Sequence, residues 1–397
     1  MKKAIPCLAI LILCLTILTC GDKGSNPVNS GNTWNILFNS GYHTELTKII
    51  PTGSDYIVGG MLRGYCYAAK INNDGQILWE QKILEYSTYR DISMSLTSDN
   101  KVMLSCMSEL GGLTQQKVTI FIVNQSGTVE DTCRFEIAER KENTKLVMAD
   151  DTSVLLVKID YYVTPHNIVF SKYALDGTLI WETEFENSLI DNIVKLIHTS
   201  DQGFLMAGWA GDSKQYLIKI DKNGNKLWEW TGEDKFTEHL SDFVIECAEN
   251  GYLFTGFNNF TDNNLVLTKL NHSGSLVWRK QIDDKFSFGG CAVNQVSDGY
   301  MLAGSIVNNE DESIHDHCLI KVDNSGNVLW TKVYQDYFSE YDLYGDYTHE
   351  FSLDLCSASD GGFLVTGTVD FYYLGYIMKT DLSGNTADTL IVYNYLE

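Results

Sequence analysis

The sequence predicts an all-β fold, a seven-bladed β-propeller of four-stranded antiparallel blades, with eight blades as the alternative. Three observations carry this. A two-part phrase returns along the chain with a period near 50 residues, which marks one repeat domain rather than several unrelated ones. Each copy holds enough short apolar stretches for about four strands, and repeated four-stranded antiparallel units are propeller blades. The composition agrees, since 32 glycines, 22 tyrosines and only 4 prolines in 397 residues favour strands joined by many turns.

The chain begins MKKAIPCLAILILCLTILTC. Lys2 and Lys3 precede an apolar run over residues 4–19, which is short for a membrane-spanning helix of about 20 residues and fits a secretory signal. Ile17-Leu18-Thr19-Cys20 resembles the lipobox of bacterial lipoproteins, with Thr19 standing where that family mostly has Gly, Ala or Ser. The resemblance implies cleavage before Cys20 and lipidation of its thiol, and several acyl chains give stable anchoring where one does not. The expected organisation is a signal peptide over 1–19, the lipidated cysteine and a flexible tether over 20–32, and one propeller over 33–397. The expected address is the bacterial cell envelope.

The first half of the repeated phrase reads FLMAG (204–208), YLFTG (252–256), YMLAG (300–304) and FLVTG (363–367). An aromatic four residues before a glycine, with apolar residues between, is a short and largely buried strand. The glycine lets another strand approach closely. The second half reads LIKIDKNGNKLW (217–228), LTKLNHSGSLVW (267–278) and LIKVDNSGNVLW (319–330). This is a hairpin, and the Asn-Gly and Asp-Gly steps among its copies supply the positive φ of a primed turn. Its turn glycines are Gly75, Gly127, Gly177, Gly224, Gly274, Gly326 and Gly384, spaced 52, 50, 47, 50, 52 and 58 apart. Lys219, Lys269, Lys321 and Lys379 alternate with apolar residues and are expected to face solvent. Trp79, Trp181, Trp228, Trp278 and Trp330 lie four residues after their glycines, where the second and seventh copies have Asp131 and Asp388. Residues 33–38 resemble another tryptophan strand ahead of the first full copy, and residues 389–393 stand in the same place in the last copy. The N-terminal strand is therefore expected to pair near the C-terminal blade and close the ring, hiding two sheet edges.

The hairpin phrase is similar to the tryptophan-docking repeat of quinoprotein-type propellers, which implies tryptophans packed between neighbouring blades. The FLVTG phrase resembles uncharacterised bacterial propeller lipoproteins, some of which carry an endoglucanase-like label. Quinoprotein dehydrogenases use adjacent cysteines beside the cofactor, and no two cysteines here are adjacent. No cofactor is expected. Once Cys7 and Cys14 leave with the signal and Cys20 takes lipid, seven cysteines remain, the closest two 27 residues apart. No CxxC motif exists, and buried free thiols are expected, with one disulfide as the alternative.

The formal charge is −23, and residues 1–19 hold two lysines and no acid, so the remainder carries −25. Such a chain lacks the basic surface that phosphate binding needs, and a nucleic-acid partner is excluded. The candidate ligand-binding residues are Tyr334, Tyr337, Phe338, Tyr341 and Tyr344, in the longest spacing, where aromatics interleave with acids. Residues 308–317 mix carboxylates with imidazoles, a pattern able to hold Zn²⁺ or Ca²⁺, but a charge run is mostly a solvated loop and no metal is assigned. Asp221-Lys222-Asn223-Gly224-Asn225 lacks the later calcium ligands and reads as a turn. No nucleophile elbow, phosphate loop or HExxH motif is present, so no catalytic residue is assigned. The expected function is a monomeric, non-catalytic, lipid-anchored binding or scaffold module for an envelope protein or glycan. The alternatives are a carbohydrate-active enzyme and a scaffold for outer-membrane protein assembly.

Overall fold

The computed structural model describes residues 16–19, 33–40 and 43–395, apart from 86–88, 110–114, 139–143, 161–165, 187–189, 212–213, 236–243, 248–250, 259–263, 283–291, 308–314, 335–349, 370–373 and 388. It is a seven-bladed β-propeller, with no helix among the described residues. In the first blade the strands Thr44–Thr52, Asp55–Leu62, Tyr65–Ile71 and Ile77–Glu85 pair antiparallel in sequence order. Five more blades repeat this over residues 89–138, 145–186, 190–235, 244–282 and 292–334. The first strand of every blade touches the first strand of the next, and Glu350–Ser357 of the seventh returns to Thr44–Thr52 of the first. First strands therefore line the axis and fourth strands form the rim. Because the strands alternate in direction, the turns joining strands one to two and three to four lie at one end, the turn end. The other connections lie at the opposite loop end.

The third strand is sandwiched within its sheet and meets a neighbouring blade on each face, so its alternating residues are all covered. The lysines expected at solvent are accordingly found inside. Lys219, Lys269 and Lys379 are at most 3% exposed. A buried ammonium needs a partner; in five blades the aspartate of the preceding turn supplies it, while Lys269 Nζ lies over the Tyr300 ring, 5.5 Å from its centre. Lys219 Nζ lies 2.9 Å from Asp201, Lys321 Nζ 2.7 Å from Asp298, and Lys379 Nζ 2.6 Å from Asp360. Lys70 with Asp55 and Lys172 with Asp150 repeat the pair. Lys379 also donates to Asn73 Oδ1 at 2.7 Å, in the turn of the next blade.

The hairpin turns also differ from the primed type. Gly224 N donates to Asp221 O and Asp221 N to Asn225 O, which is a type I turn followed by a bulge, with the glycine alone at positive φ. The seven turn glycines have φ between +76° and +86°. Asp221 Oδ1 accepts from the backbone N–H groups of Asn223 and Asn225, both at 2.8 Å. Asn72, Asn124, Asn271, Asp323 and Asp381 do the same in their turns. The three-residue loop with its own side-chain cap wins over the primed turn because only one residue must enter the left-handed region.

Six of the eight tryptophans lie on the turn glycine of the following blade. A Cβ on Gly75, Gly127, Gly224, Gly274, Gly326 or Gly384 would come within 2.6–3.0 Å of the ring of Trp34, Trp79, Trp181, Trp228, Trp278 or Trp330. Four indole N–H groups donate to carbonyls of the same turns, those of Asn73, Gln125, His272 and Asn324, at 2.9–3.1 Å. In the second blade, which has Asp131 at the tryptophan position, Phe135 of the same strand covers Gly177. Seven aromatics on seven glycines thus close the circle.

Closure uses the N-terminus more fully than its sequence implied. The strand Trp34–Asn39 takes the rim position of the seventh blade, pairing antiparallel with Leu374–Thr380. It displaces Thr389–Asn394 one place outward, where the two run parallel. The tryptophan decides this, because Trp34 can dock on Gly75 and the C-terminal strand has no such ring. Thr16–Thr19 pairs with Thr389–Asn394 as a sixth strand. At the axis, Asp354 of the seventh blade accepts Ile49 N at 2.9 Å and meets Lys48 at 3.0 Å in the first.

One cysteine pair departs from the expected free thiols. Cys66 and Cys106 form a disulfide between the third strand of the first blade and the second strand of the second. The two strands face each other across the seam, a proximity that sequence spacing hides. Cys247, Cys318 and Cys356 are buried free thiols and Cys133 is half-buried, while Cys291 lies outside the described residues.

Two outcomes are expected. Gly326→Ala and Trp278→Ala each lower the unfolding free energy by about 2 kcal/mol, and together they cost less than the sum because they remove one contact. Urea denaturation of the double-mutant cycle measures this. Reducing the disulfide, whose cysteines are 40 residues apart, costs about 3–4 kcal/mol on a loop-entropy basis, read as a lower urea midpoint with dithiothreitol.

Candidate functional site

Most repeat residues are engaged in the seams, so a ligand site has to use the surface that the seams leave open. The second and third copies depart most from the repeat. The second lacks the tryptophan, and the third has Ala174 where the other turns have Asp or Asn. There the surface opens into a cavity of about 730 Å³ at the turn end, across blades two to four. Ile180 and Trp181 form an apolar wall. Asp150, Lys172, His198 and Lys222 supply polar groups.

The ionisable groups of the cavity are already engaged. Asp150 accepts from Thr152 N at 2.9 Å and Thr152 Oγ1 at 2.7 Å, and takes Lys172 Nζ at 3.0 Å. Burial pushes its carboxyl up, but hydrogen bonds from Ser153, Thr152 and Lys172 more than reverse this and hold it well below the usual carboxylate range. The carboxylate of Asp151 accepts both Ser98 N and Ser98 Oγ of the second blade. His198 leans on Phe204, ring centres 5.3 Å apart. Burial keeps its imidazole below its ordinary value, against the pull of Asp150. At neutral pH the cavity thus offers a fixed anion–cation pair, a neutral imidazole and an aromatic wall. That set suits holding a polar ligand with one flat apolar side. A general acid needs a proton near neutral pH, and Asp150 holds none.

Tyr334, the first of the aromatic candidates, is buried in the seam between blades six and seven. Its hydroxyl donates to Gly384 O at 2.5 Å, and its ring stacks on His317 at 5.4 Å. Tyr337, Phe338, Tyr341 and Tyr344 lie outside the described residues. Of the acid and imidazole stretch, residues 308–314 are also outside. Asp316 and His317 are buried, and His317 Nδ1 sits 2.7 Å from Ser352 Oγ and 3.3 Å from Tyr376 OH. Burial lowers the His317 imidazole to a pKa of about 3, so it is a neutral hydrogen-bonding member of the seam. Among the described residues no three His, Cys, Asp or Glu side chains gather as metal ligands. Asp221 spends its carboxylate on its own turn, as its sequence implied.

Sequence reasoning missed the cavity. Asp150, Lys172, His198 and Lys222 come from two blades, three on separate strands and one in a turn, with no spacing that joins them. The repeat breaks at Asp131 and Ala174, in the second and third copies, but neither residue lines the cavity.

No family model and no curated protein sequence matches the chain. Solved structures of similar fold include BBS1N in complex with ARL6DN, at 11% identity and a TM-score of 0.49, covering 88% of this chain and 96% of that one. Sqt1 from Chaetomium thermophilum has 12% identity and a TM-score of 0.47, covering 89% and 85%. Synechocystis apocarotenoid oxygenase has 8% identity and a TM-score of 0.48, covering 73% and 71%.

Acid sensitivity is expected in two stages. The folded pKa of His317 lies below its unfolded value near 6.5, so its contribution is present above that value and is lost as pH falls towards 3. For Asp201, burial raises the carboxyl, and Thr199 and Lys219 lower it to about 2. Its contribution is present above an unfolded value near 4 and is lost as pH falls to about 2. Urea midpoints against pH should flatten between pH 6 and 4 in His317→Gln and below pH 4 in Asp201→Asn.

Proposed function

We propose that this protein is a lipid-anchored β-propeller of the bacterial cell envelope, acting as a non-catalytic binding module whose ligand is an envelope glycan held in the cavity beside Trp181. One observation carries the binding reading: the cavity joins an aromatic wall to polar groups already held in place, the Asp150–Lys172 ion pair among them. Trp181 offers a flat apolar face, and His198, Lys222 and the Asp150–Lys172 pair offer hydrogen bonds, the two needs of a sugar ring. The address draws on the signal-like N-terminus and Cys20, and the Cys66–Cys106 disulfide supports it because such bonds persist in oxidising compartments. Cleavage before Cys20 would remove the strand Thr16–Thr19 and leave Thr389–Asn394 as the sheet edge.

The carbohydrate-active alternative draws on the same cavity, where Asp150 and Asp151 stand together. Both are engaged, one by Lys172 and one by Ser98, which favours binding over hydrolysis. A scaffold for outer-membrane protein assembly is the protein-binding form of the reading.

The test is a glycan array followed by calorimetry on the best ligand. Binding without released product is expected. Lys222→Ala, which removes an exposed lining group, should weaken it about ten-fold, the worth of one charged hydrogen bond. Hydrolysis of the bound glycan, or affinity indifferent to Lys222, would overturn the proposal.

A further inference from the structure

Ten large apolar side chains are exposed among the described residues, and nine of them lie at the turn end. Each of the nine is within three residues of a turn glycine. Five occupy one equivalent position. In the first blade Lys70 pairs with Trp79 and Ile71 with Ile77, so Leu78 is the extra residue of the bulge. Ile180, Leu227, Val277 and Leu329 are the extra residues in blades three to six. All five are 50–54% exposed. The bulge residue serves neither the ladder, which skips it, nor the seam, which takes the tryptophan that follows. A chain this acidic has every reason to keep such positions polar, and a repeated exposed apolar position marks a contact surface. In the second blade the bulge residue is Glu130, which pairs with Lys101.

The entry of the chain says what the surface meets. Trp34 pairs with Lys379 and donates to Asn73 O, both at the turn end, whereas Asn39 pairs with Leu374 at the loop end. The first strand of the propeller therefore starts at the turn end. Cys20 precedes Trp34 by 14 residues, and that span reaches at most about 46–50 Å when extended. A lipid on Cys20 would hold a membrane within reach of the end that carries the apolar ring.

We infer that the turn end of the propeller is a membrane-docking face, with Leu78, Ile180, Leu227, Val277 and Leu329 entering the lipid surface beneath the anchor. This rests on the anchor proposed above. It also places the mouth of the cavity, which Ile180 borders, at the membrane surface, where a membrane-borne glycan is met.

The test uses the full chain expressed with its signal and purified from the envelope, then reconstituted in vesicles of acyl-brominated phospholipid. Trp79, Trp228, Trp278 and Trp330 each follow a bulge residue and report bromine contact. Shallow insertion should quench tryptophan fluorescence about two-fold. The variant Leu78→Asp/Leu227→Asp/Val277→Asp/Leu329→Asp leaves Ile180 and the cavity intact. It should still float with the vesicles, stay unquenched and keep the native circular dichroism. Should the quadruple variant misfold, Leu227→Asp alone should give a partial loss of quenching. Vesicle-bound native protein without quenching overturns the docking face, as does a dimer of copies in sedimentation that shields the same tryptophans. The mass of the N-terminal peptide reports the acyl chains separately. An acylated, unquenched protein sinks docking alone. An unacylated protein quenched by added vesicles sinks the anchor alone. One neither acylated nor quenched sinks both.

Discussion

The contact between an indole ring and a turn glycine of the next blade governs this molecule. A blade is a small sheet with two apolar faces and cannot bury either alone. The indole of Trp228 sits where any side chain on residue 274 would have to be, so the glycine is required twice, once for its positive φ and once for the space above it. The indole N–H then takes the carbonyl of His272 in the same turn. Beneath it, the lysine of the third strand turns inward to the aspartate of its own blade and, in Lys379, to Asn73 of the next. One short phrase thus encodes a seam. The phrase is a statement about neighbours, and a single blade holding it would be unfinished.

A ring built this way spends its conspicuous residues on itself. Lysines, aspartates, tryptophans and glycines that look functional by recurrence are structural by position. The candidate ligand site opens beside the irregular second and third copies and spans blades two to four. Its wall is made by repeat members, Ile180 and Trp181, the Asp150–Lys172 pair is a repeat member too, and His198 and Lys222 come from the regular fourth blade. Irregularity does mark the apolar ring, whose one polar member, Glu130, belongs to the second blade.

The number of blades, their four strands and the glycine turns were legible because each rests on local spacing. The direction of Lys219 was not, since alternation says that a residue changes face and says nothing of which faces are covered. In a sheet standing between two others, both are. The turn type was missed for a related reason, because Asn-Gly suits a primed turn in isolation and the side-chain cap of Asn72 or Asp221 tips the balance to a longer loop. The Cys66–Cys106 bond and the cavity require knowing which strands of adjacent blades lie opposite, and that knowledge appears only once the ring is closed. The place of the N-terminal strand was half legible. Its tryptophan shows kinship with the rim strands, but the C-terminal strand has the same place in the repeat, and only the closed ring lets both fit side by side.

That arrangement has a consequence for the order of events when the protein is made. Residues 34–39 leave the ribosome near the beginning, yet their antiparallel partners are residues 374–380 and their parallel neighbours residues 390–394. Nearly the whole chain separates them, a loop closure that is slow because its entropy is lost before any contact rewards it. Six blades can form from local hairpins while the first strand waits with both edges bare. The earliest residues of the propeller are therefore the last to be satisfied, and until they are, Trp34 and Gly75 remain apart and the circle is an open arc.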